Sequence, residues 1–294
     1  MQSSTIDNLI TWHRSTDNLV SQRRCQSPSF FKPYHFAILA SKFIAAPSGV
    51  VRIRDENLAH YASRMHLWQV LGQLPPVLVN EHEEVGKFQP LTMITSEDDV
   101  VSIADRLTAM FRPCCVDKFT QDSIYSLAVE LLGNCVAHSQ MAERIASYGV
   151  VCAQVWASAY RAQIAIVDSG LGIRQTIEAC GKYQDRLTKE NACSLATEYS
   201  VTSKAGKGHS GYGLTLARDL MMQSGGVLHI LSGEEYLSIE GQNVETGVIP
   251  ALGLKGTVIV LEWDTRIALD TGVVYAQWPG ALEESENDDC DWIF

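Results

Sequence analysis

No two cysteines in this chain are spaced as CxxC, although there are 8 of them. That absence removes the usual zinc framework. Cys25, Cys114, Cys115, Cys135, Cys152, Cys180, Cys193 and Cys290 read instead as reduced, mostly buried thiols. No apolar run is long enough to span a bilayer. The opening residues, Met-Gln-Ser-Ser-Thr-Ile-Asp-Asn, have neither a basic start nor an apolar core, so no signal peptide is expected. Basic residues are in deficit: 23 Lys and Arg face 34 Asp and Glu, a formal net charge of −11. That balance argues against a nucleic-acid surface. There are no internal repeats and no low-complexity stretches. The expectation is a cytoplasmic protein without a membrane partner, and 294 residues suffice for one large or two modest domains.

The chain also lacks the GKS/T ending of a Walker loop and a GxGxxG after an early strand, which disfavours the two commonest nucleotide folds. It does carry two other glycine signatures. The first is Asp168-Ser169-Gly170-Leu171-Gly172-Ile173, at the end of a strand-like run, Gln163–Val167. Glycines there allow a tight turn and a close approach of backbone to ligand. A carboxylate at Asp168 could accept a hydrogen bond from an exocyclic amine; the alternative is an Asx turn closing the strand. The second is Gly208-His209-Ser210-Gly211-Tyr212-Gly213-Leu214, which leads into an amphipathic helix closed by Gly225-Gly226. A glycine-rich loop at a helix N-terminus offers N–H groups and a positive dipole end to phosphates.

Ahead of both lies a helical segment, residues 122–138. Ile124, Leu127, Ala128, Leu131, Leu132 and Cys135 form its apolar stripe. Glu130, Asn134 and His138 form a polar row at intervals of four. A carboxylate beside a terminal phosphate can deprotonate water. An amide oxygen one turn on suits Mg²⁺, which takes hard oxygen ligands and keeps several waters. The alternative is the solvated face of a surface helix, with His138 a hydrogen-bonded core histidine.

These three segments resemble the N, G1 and G2 boxes of the GHKL (Bergerat-fold) ATPase superfamily. Glu130-Leu-Leu-Gly-Asn134-Cys-Val-Ala-His138 is similar to the ExxxNxxxH box of histidine kinases and anti-sigma-factor kinases. Asp168 to Ile173 matches DxGxGI, and Gly208 to Leu214 matches GxxGxGL. Gly256-Thr257, opening the apolar run Val258–Leu261, is similar to a late GT element. The resemblance covers about residues 120–264. It implies ATP and Mg²⁺ as ligands, Glu130 as general base, Asn134 as metal ligand and Asp168 as adenine contact supported by Thr257. It also implies that Gly170, Gly172 and Ile173 shape the base pocket. Gly208, Gly211, Tyr212, Gly213 and Leu214 would surround the phosphates. Residues 174–207 would be a lid, mobile without nucleotide, in which Thr202, Ser203, Lys204 and Lys207 stand next to the phosphate loop and Lys204 or Lys207 could reach a phosphate.

Three pieces are expected. Residues 1–88 read as a small α/β unit, with strands at Val50–Ile53 and Val77–Val79 and a layout loosely like STAS regulatory domains; the alternative is an extension packed on the next module's sheet. Residues 89–268 read as the ATP-binding module, a two-layer α/β sandwich with a mixed sheet and helices on one face. Within it, Ser96 to Asp99 resembles a capping box opening a helix. Residues 269–294 read as an acidic tail ending in Trp292-Ile-Phe294, either a docking peptide or a solvated terminus. Three functions stay open: an ATPase switching a lid to control a protein partner or homodimer, a serine/threonine kinase of the anti-sigma type, and a non-hydrolysing ATP-binding module.

Overall fold

The computed structural model describes residues 2–22, 27–47, 49–77, 86–114, 118–139, 148–202 and 212–279. Lys204, Lys207, Ser203, Gly208, Gly211 and the acidic tail beyond residue 279 lie outside these, as do residues 78–79 of the second expected strand.

The fold is mixed α/β, built on one sheet. Its strands are β1 (Phe88–Ile94), β2 (Gly149–Trp156), β3 (Arg161–Asp168), β4 (Val227–Ser232), β5 (Glu235–Glu240), β6 (Asn243–Val248) and β7 (Thr257–Asp264). They are ordered β1-β2-β3-β7-β4-β5-β6. Every neighbouring pair is antiparallel, so the expected mixed sheet is not what forms.

Helices cover both faces. On one face lie α5 (Asp98–Phe111), α6 (Lys118–Ser139), α7 (Ile173–Cys180), α8 (Gln184–Leu187), α9 (Ala192–Leu195), α10 (Gly213–Ser224) and α11 (Thr271–Tyr275). They enclose a core with Val151, Ala153, Ile164, Ile166, Ile259, Leu261 and Trp263 of the sheet. On the other face lie α1 (Ile6–Gln22), α2 (Pro33–Ala45), α3 (Glu56–Arg64) and α4 (Leu67–Val70). These meet Val150, Cys152, Ala165, Val167, Val258 and Val260 in a second core. Successive strand residues point to opposite faces, so these two sets alternate along β2, β3 and β7. Residues 89–268 thus form two layers, the sheet and the helices on one face, and the N-terminal helices add a third layer on the other. No strand occurs among the described residues before Phe88, and Val50–Ile53 is an irregular segment.

A buried polar network fastens the N-terminal layer to the sheet. The Ser4 N–H and hydroxyl donate to Glu262 Oε2 at 3.2 and 3.0 Å. Gln163 Nε2 donates to the same oxygen at 2.8 Å, and His229 Nε2 lies 2.9 Å from the Ser4 carbonyl. Lys32 Nζ stands 3.6 Å from Glu262, whose side chain is fully buried. Burial lowers the Lys32 ammonium below its ordinary range, and Glu262 partly offsets this.

On the first face, the capping arrangement opens α5. Ser96 N–H donates to Asp99 Oδ2 at 2.9 Å, and Asp99 N–H returns to Ser96 Oγ at 3.3 Å. Hydrogen bonds from Thr95 and Ser96 hold the Asp99 carboxyl below its ordinary value. Among the described residues no helix is long and apolar enough to cross a membrane.

Candidate functional site

One cleft opens on the first face, between α6, the ends of β3 and β7, α7 and the head of α10. It encloses about 930 Å³ of empty space, part of it open to solvent. Glu130, Asn134 and His138 line it from α6, and Asp168 and Thr257 from the strand ends. Gly172, Ile173, Gly213 and Leu214 complete the expected residues that reach it. Its apolar walls include Leu131, Ile166, Ile177 and Ile259.

Each placement has a local cause. Leu127, Leu131 and Cys135 turn one side of α6 into the core and leave Glu130, Asn134 and His138 along its margin, half-buried. Asp168 ends β3 opposite Gly149. Its carboxylate accepts the Gly170 N–H at 2.8 Å, which is the Asx-type turn. The Thr257 hydroxyl and backbone also donate to it. The turn and the ligand-contact readings are therefore compatible. Burial pushes the Asp168 carboxyl up to about 6, against the opposing pull of those hydrogen bonds.

The glycines that reach the site leave little room for a side chain. Gly172 has φ +84°, and a methyl group there would meet Ser232 Oγ at 2.9 Å and the Gly256 carbonyl at 3.3 Å. Gly170 lies outside the cleft lining, against the His138 carbonyl. A methyl group on Gly213 would come 3.0 Å from the Asn134 amide and 3.1 Å from Glu130 Oε2. The head of α10 thus touches the polar row of α6 directly. Tyr212 is not in the cleft lining; its ring stacks on Tyr199 with centroids 4.9 Å apart.

Ser232 is a residue that motif reading missed. Its hydroxyl accepts the Ile173 N–H at 2.8 Å, donates to the Gly256 carbonyl at 3.1 Å and lies 3.2 Å from Thr257 Oγ1. It ties the first glycine turn to the start of β7. The available signal was its place at the end of an apolar strand-like run, but its partner Thr257 is distant in sequence and known only from the register.

Residues 174–202 make up most of the expected lid. They form α7, α8 and α9, with Ile177, Leu187 and Leu195 inside the first core. Arg174 pairs with Glu235 at 2.6 Å and donates to the Leu187 and Glu190 carbonyls.

No group of three or more His, Cys, Asp or Glu side chains able to hold a metal occurs among the described residues. The donor set at Asn134 suits a cation carried mainly by ligand oxygens and water, with one amide oxygen from the protein. Comparison with known protein families finds no matching family model, and comparison with curated proteins finds no match.

Proposed function

We propose that this chain binds ATP with Mg²⁺ in the cleft, as a GHKL-type protein, and hydrolyses it to control a protein partner or its own dimerisation in the cytoplasm. What carries the reading is convergence. Three segments far apart in sequence bring Glu130 and Asn134, Asp168 and Gly172, and Gly213 into one cleft, with Thr257 behind Asp168. A flat heterocycle would lie between the apolar walls, Leu131, Ile166, Ile177 and Ile259. Its exocyclic amine would donate to ionised Asp168. The phosphates would meet the N–H groups of the first turn of α10, where the helix dipole favours negative charge.

Glu130 is then placed to take the proton of a water attacking the terminal phosphorus as the bond to the leaving ADP oxygen breaks. Asn134 would hold Mg²⁺, which when bound would supply positive charge to offset that developing on the phosphates. The proximity of Gly213 to both side chains is the observation that supports this pairing of roles.

A serine/threonine kinase of the anti-sigma type is the second reading. It is favoured by His138, which lines the same cleft one turn beyond Asn134. There Glu130 would take the proton from a substrate hydroxyl instead of water. Incubation with γ-labelled ATP separates the readings. Label released as phosphate supports hydrolysis, and label on protein supports the kinase. Absence of MgATP binding by calorimetry would overturn both.

A further inference from the structure

After β7 the chain does not leave the molecule. The Leu269 N–H donates to Thr120 Oγ1 at 3.1 Å, and the Thr271 N–H to Ser123 Oγ at 2.9 Å. Thr120, Ser123 and Glu130 share one side of α6 at helical spacing. The chain therefore runs along α6 towards its functional row, and α11 ends with Tyr275 near Glu130. Burial and the Glu130 carboxylate together raise the Tyr275 phenol above its ordinary value.

Beyond α11 the chain is anchored to α10. Trp278 Nε1 donates to Asp219 Oδ2 at 2.8 Å. The Trp278 ring lies 4.8 Å from Tyr275, 5.1 Å from Tyr212 and 5.3 Å from Tyr199. Tyr199 and Tyr212 are stacked, with hydroxyls 3.2 Å apart. Tyr212 is the N-cap residue of α10. It therefore contacts rings from two other parts of the chain, Tyr199 after α9 and Trp278 after α11. Its neighbour Gly213 is the backbone that touches Glu130 and Asn134.

We propose that Tyr199 and Trp278 are positioning residues for the phosphate half of the cleft: they clamp Tyr212 and so fix the first turn of α10 against Glu130 and Asn134. This rests on the ATP reading above. A positioning role predicts a selective effect, because the adenine half is held by Asp168, Thr257 and Gly172 on other elements. Phosphate binding at a helix N-terminus depends on the orientation of a few N–H groups, so small displacements matter.

The test is calorimetric titration of the full chain with MgATP and, separately, with adenosine. In Trp278→Ala, Kd for MgATP should rise about tenfold while Kd for adenosine stays within about twofold, since only one end of the ligand loses its alignment. Trp278→Phe, which keeps a ring, should restore most of the MgATP affinity. Tyr199→Leu should reproduce the selective loss without touching the C-terminal segment, and it decides the question alone if Trp278→Ala fails to fold by circular dichroism. Equal losses for both ligands, or none for either, would overturn the positioning role and leave the ATP reading intact. A parent protein that binds neither ligand would overturn the ATP reading and this assignment with it.

Discussion

In the proposed site, the cost of burying the Asp168 carboxylate and the demand of a ligand amine oppose each other. That carboxyl is raised to about 6 by burial. A raised acid is stabilised by the fold only in its protonated form, so this contribution is present below the unfolded value and is lost as pH rises through about 6. The proposed adenine contact has the opposite preference, because an amine donor needs the ionised acceptor. MgATP affinity should therefore fall as pH drops from 7.5 to 5. At pH 5 about a tenth of Asp168 would be ionised, an expected loss of about tenfold. Titrations at both pH values, repeated with Asp168→Asn, check this. The variant should bind poorly and lose the pH dependence; an unchanged affinity would remove Asp168 from the pocket. Glu130 predicts the complementary result. Glu130→Ala should retain MgATP affinity but release phosphate about 10²–10⁴-fold more slowly, the usual range for loss of a general base. The two carboxylates were legible in the sequence because each stands in a short motif whose chemistry is local. Ser232 was not, since its role exists only once Ser232 and Thr257 are brought side by side by β4 and β7.

The two glycine elements separate binding from folding. At Gly213 an added methyl group meets side chains, the Asn134 amide at 3.0 Å and Glu130 Cβ and Oε2 at 3.1 Å, and accommodating it takes a shift of a few tenths of an ångström on α6 or α10. Gly213→Ala should weaken MgATP binding about tenfold while the melting temperature moves by less than about 4 °C. Gly172 is different. Its φ of +84° is unfavourable for any residue with a Cβ, and the neighbours include the Gly256 backbone. Gly172→Ala should destabilise the fold by about 1–3 kcal/mol, seen as a lower urea midpoint with or without ligand. Long periodic elements were the most legible. The apolar stripes of α5, α6 and α10 are visible in sequence, and so is the end of α10 at Gly225, which adopts φ +62°. The helices α8 and α9 are four residues each, too short to show a period. Arg174 and Glu235 fix that region across a long sequence separation, which local patterns do not reveal. Hydrogen exchange should accordingly show slow amides at Ile177, Leu187 and Leu195 even without nucleotide, because all three lie in the first core.

At the scale of the whole molecule, the number of layers was written in the strands more plainly than in the helices. The runs Val150-Val151-Cys152-Ala153 and Val258-Ile259-Val260-Leu261 are apolar at every position. A sheet solvated on one face would alternate apolar and polar residues, whereas continuous runs mark strands covered on both faces. The N-terminal helices supply the second cover, so a chain beginning at residue 89 would expose Val150, Cys152, Ala165, Val167, Val258 and Val260. Such a chain should aggregate rather than fold. A soluble, cooperatively melting fragment that binds MgATP would show instead that the helical layer is dispensable. The network around Glu262 gives a finer test of the same coupling. Lys32→Met removes one partner of a fully buried carboxylate. Breaking a buried pair typically costs about 3–5 kcal/mol. Arg161 remains 3.7 Å from Glu262, and the Ser4 and Gln163 donors persist, so a loss near the lower end of that range is expected. In the double variant Lys32→Met, Glu262→Gln the uncompensated charge is gone and the amide oxygen still accepts from Ser4 and Gln163. Urea denaturation should therefore show the double variant more stable than Lys32→Met alone. If it were no more stable, loss of Lys32 packing rather than the unpaired charge would explain the single variant. MgATP affinity should be unchanged in both, because this network lies on the face of the sheet opposite the cleft.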